Sequence, residues 1–251
     1  MNKCFILFIC LIIFSCTDIS KEATNLIEIT FIPKTEYTLT PMKSLSARSS
    51  DIEIIGLIYQ NDQLIDIVKA QNGVYKTILQ LGGIYHAQFL GNATPFLKDI
   101  DKLSTAMISM DTIHSGQFGD EIYIAPIIQF TANSSVQLAA TLECKIGIIS
   151  FTSLDDPIPT EISNVYTHAT EIGFGYIFHN GYTHHKNITV RSDQISNYNF
   201  IIYSFIFNDQ NCELTSDIQY KESASRIWEM GTYSPRINHQ YRLSGKLKDQ
   251  I

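Results

Sequence analysis

Few residues of this chain sit at spacings that a reaction needs. Its 251 residues include seven histidines and five cysteines. His179, His184 and His185 gather around Gly181 and invite a metal reading. That turn offers no carboxylate at ligand spacing, and neighbouring histidines on a strand point to opposite faces, so an exposed polar turn is the better expectation. His86, Asp111 and His114 are too scattered to form a triad with any serine. Gly-x-Ser-x-Gly, Gly-x-Gly-x-x-Gly and phosphate-loop patterns are all missing from the sequence. The acid pairs Asp120-Glu121 and Asp155-Asp156 fall in expected turns, where adjacent carboxylates are solvated rather than paired for glycoside cleavage. The expectation is a protein that is not an enzyme and holds no cofactor and no metal.

The one residue whose surroundings imply a covalent event is Cys16. Lys3 precedes an apolar run from Cys4 to Phe14, and Ser15-Cys16 ends it. The run is too short to span about 30 Å of hydrocarbon as a helix. A positive residue, a short apolar stretch and a small residue at the cut point are the parts of a signal peptide, here residues 1–15. Ile13-Phe14-Ser15-Cys16 resembles a bacterial lipobox, in which the cysteine is acylated and becomes the first residue of the mature chain. Ile13 and Ser15 suit that pattern, and Phe14 is bulkier than usual at its position. Polar residues follow at once, so 16–25 reads as a lipidated tether. A plain signal peptide with an incidental cysteine is the alternative.

Cys4 and Cys10 leave with the signal peptide, and the mature chain keeps Cys16, Cys144 and Cys212. With Cys16 acylated, an oxidising compartment permits a disulfide between Cys144 and Cys212. Two buried thiols acting as small hydrophobes are the other reading. A formal net charge of -7 argues against a nucleic-acid partner, which needs a basic stripe to displace counterions.

The elements around these residues read as strands. Thirteen tyrosines and fourteen phenylalanines suit a pleated, half-buried surface. Strands are expected at 26–32, ended by Pro33, and at 52–59, 63–69, 74–81, 84–90, 122–130, 136–144 and 145–151. The last two merge without a strong breaker. Asn61-Asp62, Asn72-Gly73 and Gly82-Gly83 mark turns. Residues 94–112 repeat apolar side chains at helical steps, which fits a helix or a loop with one helical turn. Pro157-Ile158-Pro159 marks a linker near 152–160. Further strands follow at 162–166, 172–178, 188–191, 199–207, 214–220 and 239–247, with turns at Asn180-Gly181 and Asn208-Asp209. Many short strands with polar turns predict an all-β fold of β-sandwiches, one over 26–152 and one over 160–251. Trp228, the only tryptophan, is a core anchor or a stacking platform for sugar.

Ile52–Tyr59 with the following Asn61–Ile65, then Leu81–Ala93, and finally Ile237–Leu247 with its Asn-x-x-Tyr-x-Leu-x-Gly spacing form a set of three segments. Together they resemble the fimbrillin (type V pilin) superfamily of Bacteroidota. The resemblance implies two tandem transthyretin-like β-sandwich domains on a lipid-anchored precursor at the outer membrane or cell surface. It implies a fimbrial subunit or anchor whose partners are the outer membrane, through its lipid, and other pilus subunits. In polymerising members a protease cuts behind the first strand and a neighbour's strand fills the groove. The matching loop here is 42–51, with Arg48 the scissile candidate and Lys43 second. A donor strand would lie within 226–247. A surface glycan-binding lipoprotein for nutrient uptake is the alternative function.

Overall fold

The computed structural model describes residues 25–36, 52–71, 74–110, 122–135, 137–205, 211–234, 236–237 and 239–250. Cys16, Lys43, Arg48, Asp111, His114, the Asp120-Glu121 pair and the Asn72-Gly73 and Asn208-Asp209 turns lie outside them. The structure is all-β, in a sandwich-like and barrel-like arrangement of sheets around two buried apolar clusters.

The first cluster is enclosed by β1 (Leu26–Glu36), β2 (Ile54–Gln60), β3 (Gln63–Gln71), β4 (Val74–Gln80), β5 (Ile84–Gly91), β8 (Tyr123–Ile124), β9 (Ile128–Thr131) and β10 (Gln137–Cys144). Their order is β2-β3-β4-β1-β10-β8-β5-β9, and β2 also pairs with β5, so the ladder closes on itself. Every ladder in it is antiparallel except β1 with β10. The β2–β3 turn is tight because Asn61 and Asp62 both take positive φ, 49° and 68°, as a two-residue hairpin needs.

The second cluster lies between two sheets. One has the order β14-β11-β17, from β11 (Ile146–Ser153), β14 (Phe200–Phe205) and β17 (Gln240–Gly245). The other runs β16-β15-β12-β7-β6, with β13 also on β12. Its strands are β6 (Leu97–Lys98), β7 (Met107–Ser109), β12 (Ile162–Ile177), β13 (Thr183–Ser192), β15 (Cys212–Tyr220) and β16 (Arg226–Tyr233). The sixteen-residue β12 joins the two halves. Its first half pairs with β15, and its last residues pair with β7 from the N-terminal part of the chain.

Several sequence expectations are corrected here. Pro33 does not end the first strand. Its β4 ladder stops at Phe31, so beyond that point β1 carries only the β10 ladder, and a residue without an N–H is tolerated. Of the two readings of 94–112, residues 94–110 take the loop with one helical turn. A single 3-10 turn at Thr94–Phe96 gives way to β6 and β7, because Leu103, Ala106 and Ile108 bury into the first cluster from an extended and turning backbone. The 122–130 strand is split into β8 and β9 around Pro126. The strands expected at 136–144 and 145–151, which merge in the sequence, stand as two, β10 and β11, in different sheets, parted at Lys145, whose N–H donates to the Ile122 carbonyl at 3.0 Å. The 162–166 and 172–178 segments are one strand, with a register irregularity near Glu171, which has a φ of 53°. The sequence pattern missed β16.

Residues 152–160, read as a linker, run from the end of β11 to just before β12, and both strands feed the second cluster; the clusters change over within β11, from Ile146 to Ile149. The corner is held by Asp155, whose carboxylate is buried. It accepts the Ser153 hydroxyl at 2.8 Å and the Leu247 and Lys248 N–H groups at 2.7 and 3.2 Å. A buried carboxylate with several donors is strong because each bond is charge-assisted. Asp155→Ala strands two backbone donors. It is expected to cost about 2–4 kcal/mol and to raise hydrogen exchange at 246–250 well before the rest of the chain. Unchanged exchange there would mean the carboxylate holds nothing.

Candidate strand-exchange site

Among the described residues, β1 combines a buried position, two neighbouring strands and proximity in sequence to Cys16 and Arg48. Alternation sets its faces: Ile29 and Phe31 point in and are buried, while Leu26, Glu28 and Ile32 point out. On one side Leu26–Phe31 pairs with Tyr75–Gln80 of β4. On the other, Thr30–Glu36 pairs in parallel with Gln137–Glu143 of β10. Outside, the Lys76 ammonium donates to Glu28 at 2.8 Å across the β1–β4 ladder. Both groups are half exposed, so this pair sets register more than stability.

The floor under β1 is aromatic. The Phe31 ring lies 4.9 Å from Phe89 and 5.8 Å, edge-on, from Phe130. Phe130 tilts against Tyr85 at 5.7 Å, and Tyr75 meets Phe89 edge-on at 6.2 Å. Burial raises the Tyr75 hydroxyl above its ordinary pKa. Room for Phe89 comes from Gly56, where a Cβ would sit 2.6 Å from the Phe89 ring. Taking β1 away would bare two ladder edges over a trough of Tyr75, Phe89 and Phe130. An extended chain with apolar residues at alternate positions fits such a trough: main-chain bonds supply affinity and alternate side chains fill pockets.

The C-terminal strands are both edges. Among the described residues β16 pairs only with β15, and β17 only with β11. Trp228 is half-buried, edge-on to Phe151 at 5.6 Å and packed over Gly245, which makes it a core anchor rather than a sugar platform. Cys144 belongs to the first cluster and Cys212 to the second, and of the two alternatives weighed for this pair the structure carries two buried thiols. Burial pushes the Cys212 thiol up to about 11.

The histidines do not converge. His184 sits edge-on to Phe174 and Tyr182, whereas the His185 Nδ1 lies 3.1 Å from the Glu171 carbonyl, on the other face of β13. Among the described residues no group of three His, Cys, Asp or Glu side chains is placed to hold a metal. No helix of the described residues is long and apolar enough to cross a membrane.

No family model and no curated protein matches the chain. Solved structures do. The fimbrial anchor protein Mfa2 from Porphyromonas gingivalis superposes with a TM-score of 0.53 at 11% identity, over 87% of this chain and 90% of that one. A candidate adhesin from Bacteroides ovatus gives 0.54 at 11%, over 85% and 78%. A candidate polysaccharide-binding protein from Bacteroides thetaiotaomicron gives 0.53 at 11%, over 79% and 78%. The chain has the fold of these Bacteroidota fimbrial and adhesin proteins.

Proposed function

We propose that this chain is a cell-surface fimbrial subunit or anchor that assembles by β-strand addition. It is held at the outer membrane by acylation of Cys16 after removal of residues 1–15, and it is built as two modules that meet near β11. The observation that carries the reading is the setting of β1. It is an interior strand with a ladder on either side, its inward face is apolar, and Cys16 and Arg48 flank it in sequence. Cleavage at Arg48 would free β1 for replacement by a neighbour's strand, whereas an anchor keeps β1 and its lipid. The likeness to a fimbrial anchor and to candidate adhesins supports the reading at the level of fold.

The test inserts a site-specific protease sequence at residues 45–50. After cleavage and a mild denaturant pulse, an exchanging subunit gives a ladder of oligomers on gels, and an excess of a peptide of residues 26–36 suppresses it. A cleaved chain that stays monomeric and keeps its N-terminal fragment is no shaft subunit. If, in addition, the intact acylated chain captures no fimbrial subunits at the cell surface, the anchor role fails too.

A further inference from the structure

The strand directions gather one set of exposed apolar residues at a single end of the molecule. β1 starts at this end with Leu26, and β4, antiparallel to it, finishes there. The chain then crosses the mouth of the closed sheet through Leu81-Gly82-Gly83, and β5 starts there with Ile84. The crossing is pinned to the segments on both sides of it. The Leu81 N–H donates to the Asn25 carbonyl at 2.5 Å, and the Gly82 N–H donates to the Ala132 carbonyl at 2.8 Å beyond the end of β9. Leu26 is 56% exposed, Ile78 66%, Leu81 44% and Ile84 54%. They form a rim where burial would be expected to claim at least some of them. The second cluster lies off the opposite end, because β10 runs parallel to β1 away from the rim and feeds directly into β11.

Two further features decide what covers this rim. The first is charge. In a chain of net charge -7, no residue of 80–84 or 131–135 is charged, nor are Asn25 and Leu26. Glu28 and Lys76 on the β1–β4 ladder neutralise each other, and Asp62, on the β2–β3 turn at the same end, is bonded to Ser104 with Lys102 and Asp101 of the facing loop beside it. A surface meant for water would carry charge here; one meant for an anionic headgroup layer must lack acid. The second is distance. Asn25 emerges at the rim, and eight residues separate it from Cys16. Even fully extended, that length reaches at most about 30 Å.

Resting on the reading that Cys16 is acylated, we infer that the Leu26–Ile78–Leu81–Ile84 rim seats on the lipid surface that holds the anchor. The occupant is a phospholipid bilayer. Apolar side chains sink into the headgroup boundary, the uncharged rim meets no repulsion, and the second cluster is aimed outward. Insertion of half-exposed apolar side chains favours the membrane in proportion to the area buried, and a covalent tether keeps the rim at high local concentration. The anchor is then an oriented mount rather than a loose leash, which fixes the direction in which β16 and β17 face.

The test separates this inference from acylation itself. Chain lacking residues 1–15 is coupled through the Cys16 thiol to maleimide-bearing phosphatidylethanolamine in phosphatidylethanolamine–phosphatidylglycerol vesicles. The anchor is thereby imposed whether or not the cell acylates it. Ile84→Trp places a reporter on the rim, and Ile195→Trp places one on the second cluster, where Ile195 is 97% exposed. Brominated lipids are expected to quench the emission added at 84 and to leave that added at 195 untouched. Leu81→Glu with Ile84→Glu is expected to lower partition of the uncoupled chain into the same vesicles by roughly tenfold. Equal quenching at both sites, or none at either, overturns the seating. So does emission at 84 that shifts with protein concentration rather than with lipid, which assigns the rim to a second copy. Acyl chains found or missing on Cys16 of cell-derived protein, read by mass spectrometry, bear only on the reading beneath it.

Discussion

Phe31→Ala is expected to destabilise the first cluster by about 3–5 kcal/mol. Phe31 is buried, and its ring reaches Phe89 and Phe130 on β5 and β9, across the cluster from β1. Its loss leaves a cavity that a closed sheet cannot collapse around, because β1 is fixed by ladders to β4 and β10. Ile32→Ala is the control: that side chain points outward and is 39% exposed, so its loss is expected to stay within about 0.5–1 kcal/mol. The readout must respect two clusters. Trp228 reports on the second, through Phe151 and Gly245, whereas far-ultraviolet circular dichroism sees both. Urea unfolding of Phe31→Ala should therefore show an early loss of circular dichroism that tryptophan emission does not follow. Similar midpoints for Phe31→Ala and Ile32→Ala would remove β1 as a structural keystone. The strand-exchange proposal would go with it, because a strand that contributes little when docked leaves little to regain when replaced.

Gly173→Ala is expected to cost at least about 3 kcal/mol and to lower soluble yield. Gly173 lies in the part of β12 where the strand passes from the second cluster toward the first. A Cβ there would stand 2.0 Å from the Phe205 carbonyl oxygen and 2.9 Å from its carbon. Those are backbone atoms of β14, so relief requires a strand to move. Gly173 also donates its N–H to the buried Ser204 hydroxyl at 2.9 Å, a bond that would lengthen with any such movement. Gly175, two residues on along the same strand, is the comparison. Its Cβ would meet the end of the Met107 side chain at 2.8 Å, which is flexible and can turn aside. Gly175→Ala is therefore expected to cost about 1 kcal/mol or less. Equal thermal shifts for the two variants would show that β12 and β14 are not in tight apposition.

What was legible in the sequence follows from local rules. The branched and aromatic runs at 52–59 and 84–90 predicted strands because such side chains fit a pleated, half-buried surface, and those strands stand. Asn61-Asp62 predicted a tight turn because these residues tolerate the left-handed backbone they adopt. The fimbrillin resemblance, carried by three loose segments, pointed to the fold that the solved structures share. The helical spacing in 94–112 left a helix and a loop with one helical turn open, because apolar residues that pack against a sheet from turns can fall at helical steps; residues 94–110 take the loop.

By itself, then, the sequence determined the all-β class and most strand positions, because each rests on a short run of neighbouring residues. Only the tertiary structure decided which strand is interior, that Pro33 is tolerated where β1 has one ladder, that β12 ties the halves together, and that Cys144 and Cys212 lie in separate clusters. Those outcomes depend on contacts between residues far apart in the chain, and local spacing carries no information about which distant strand supplies the partner.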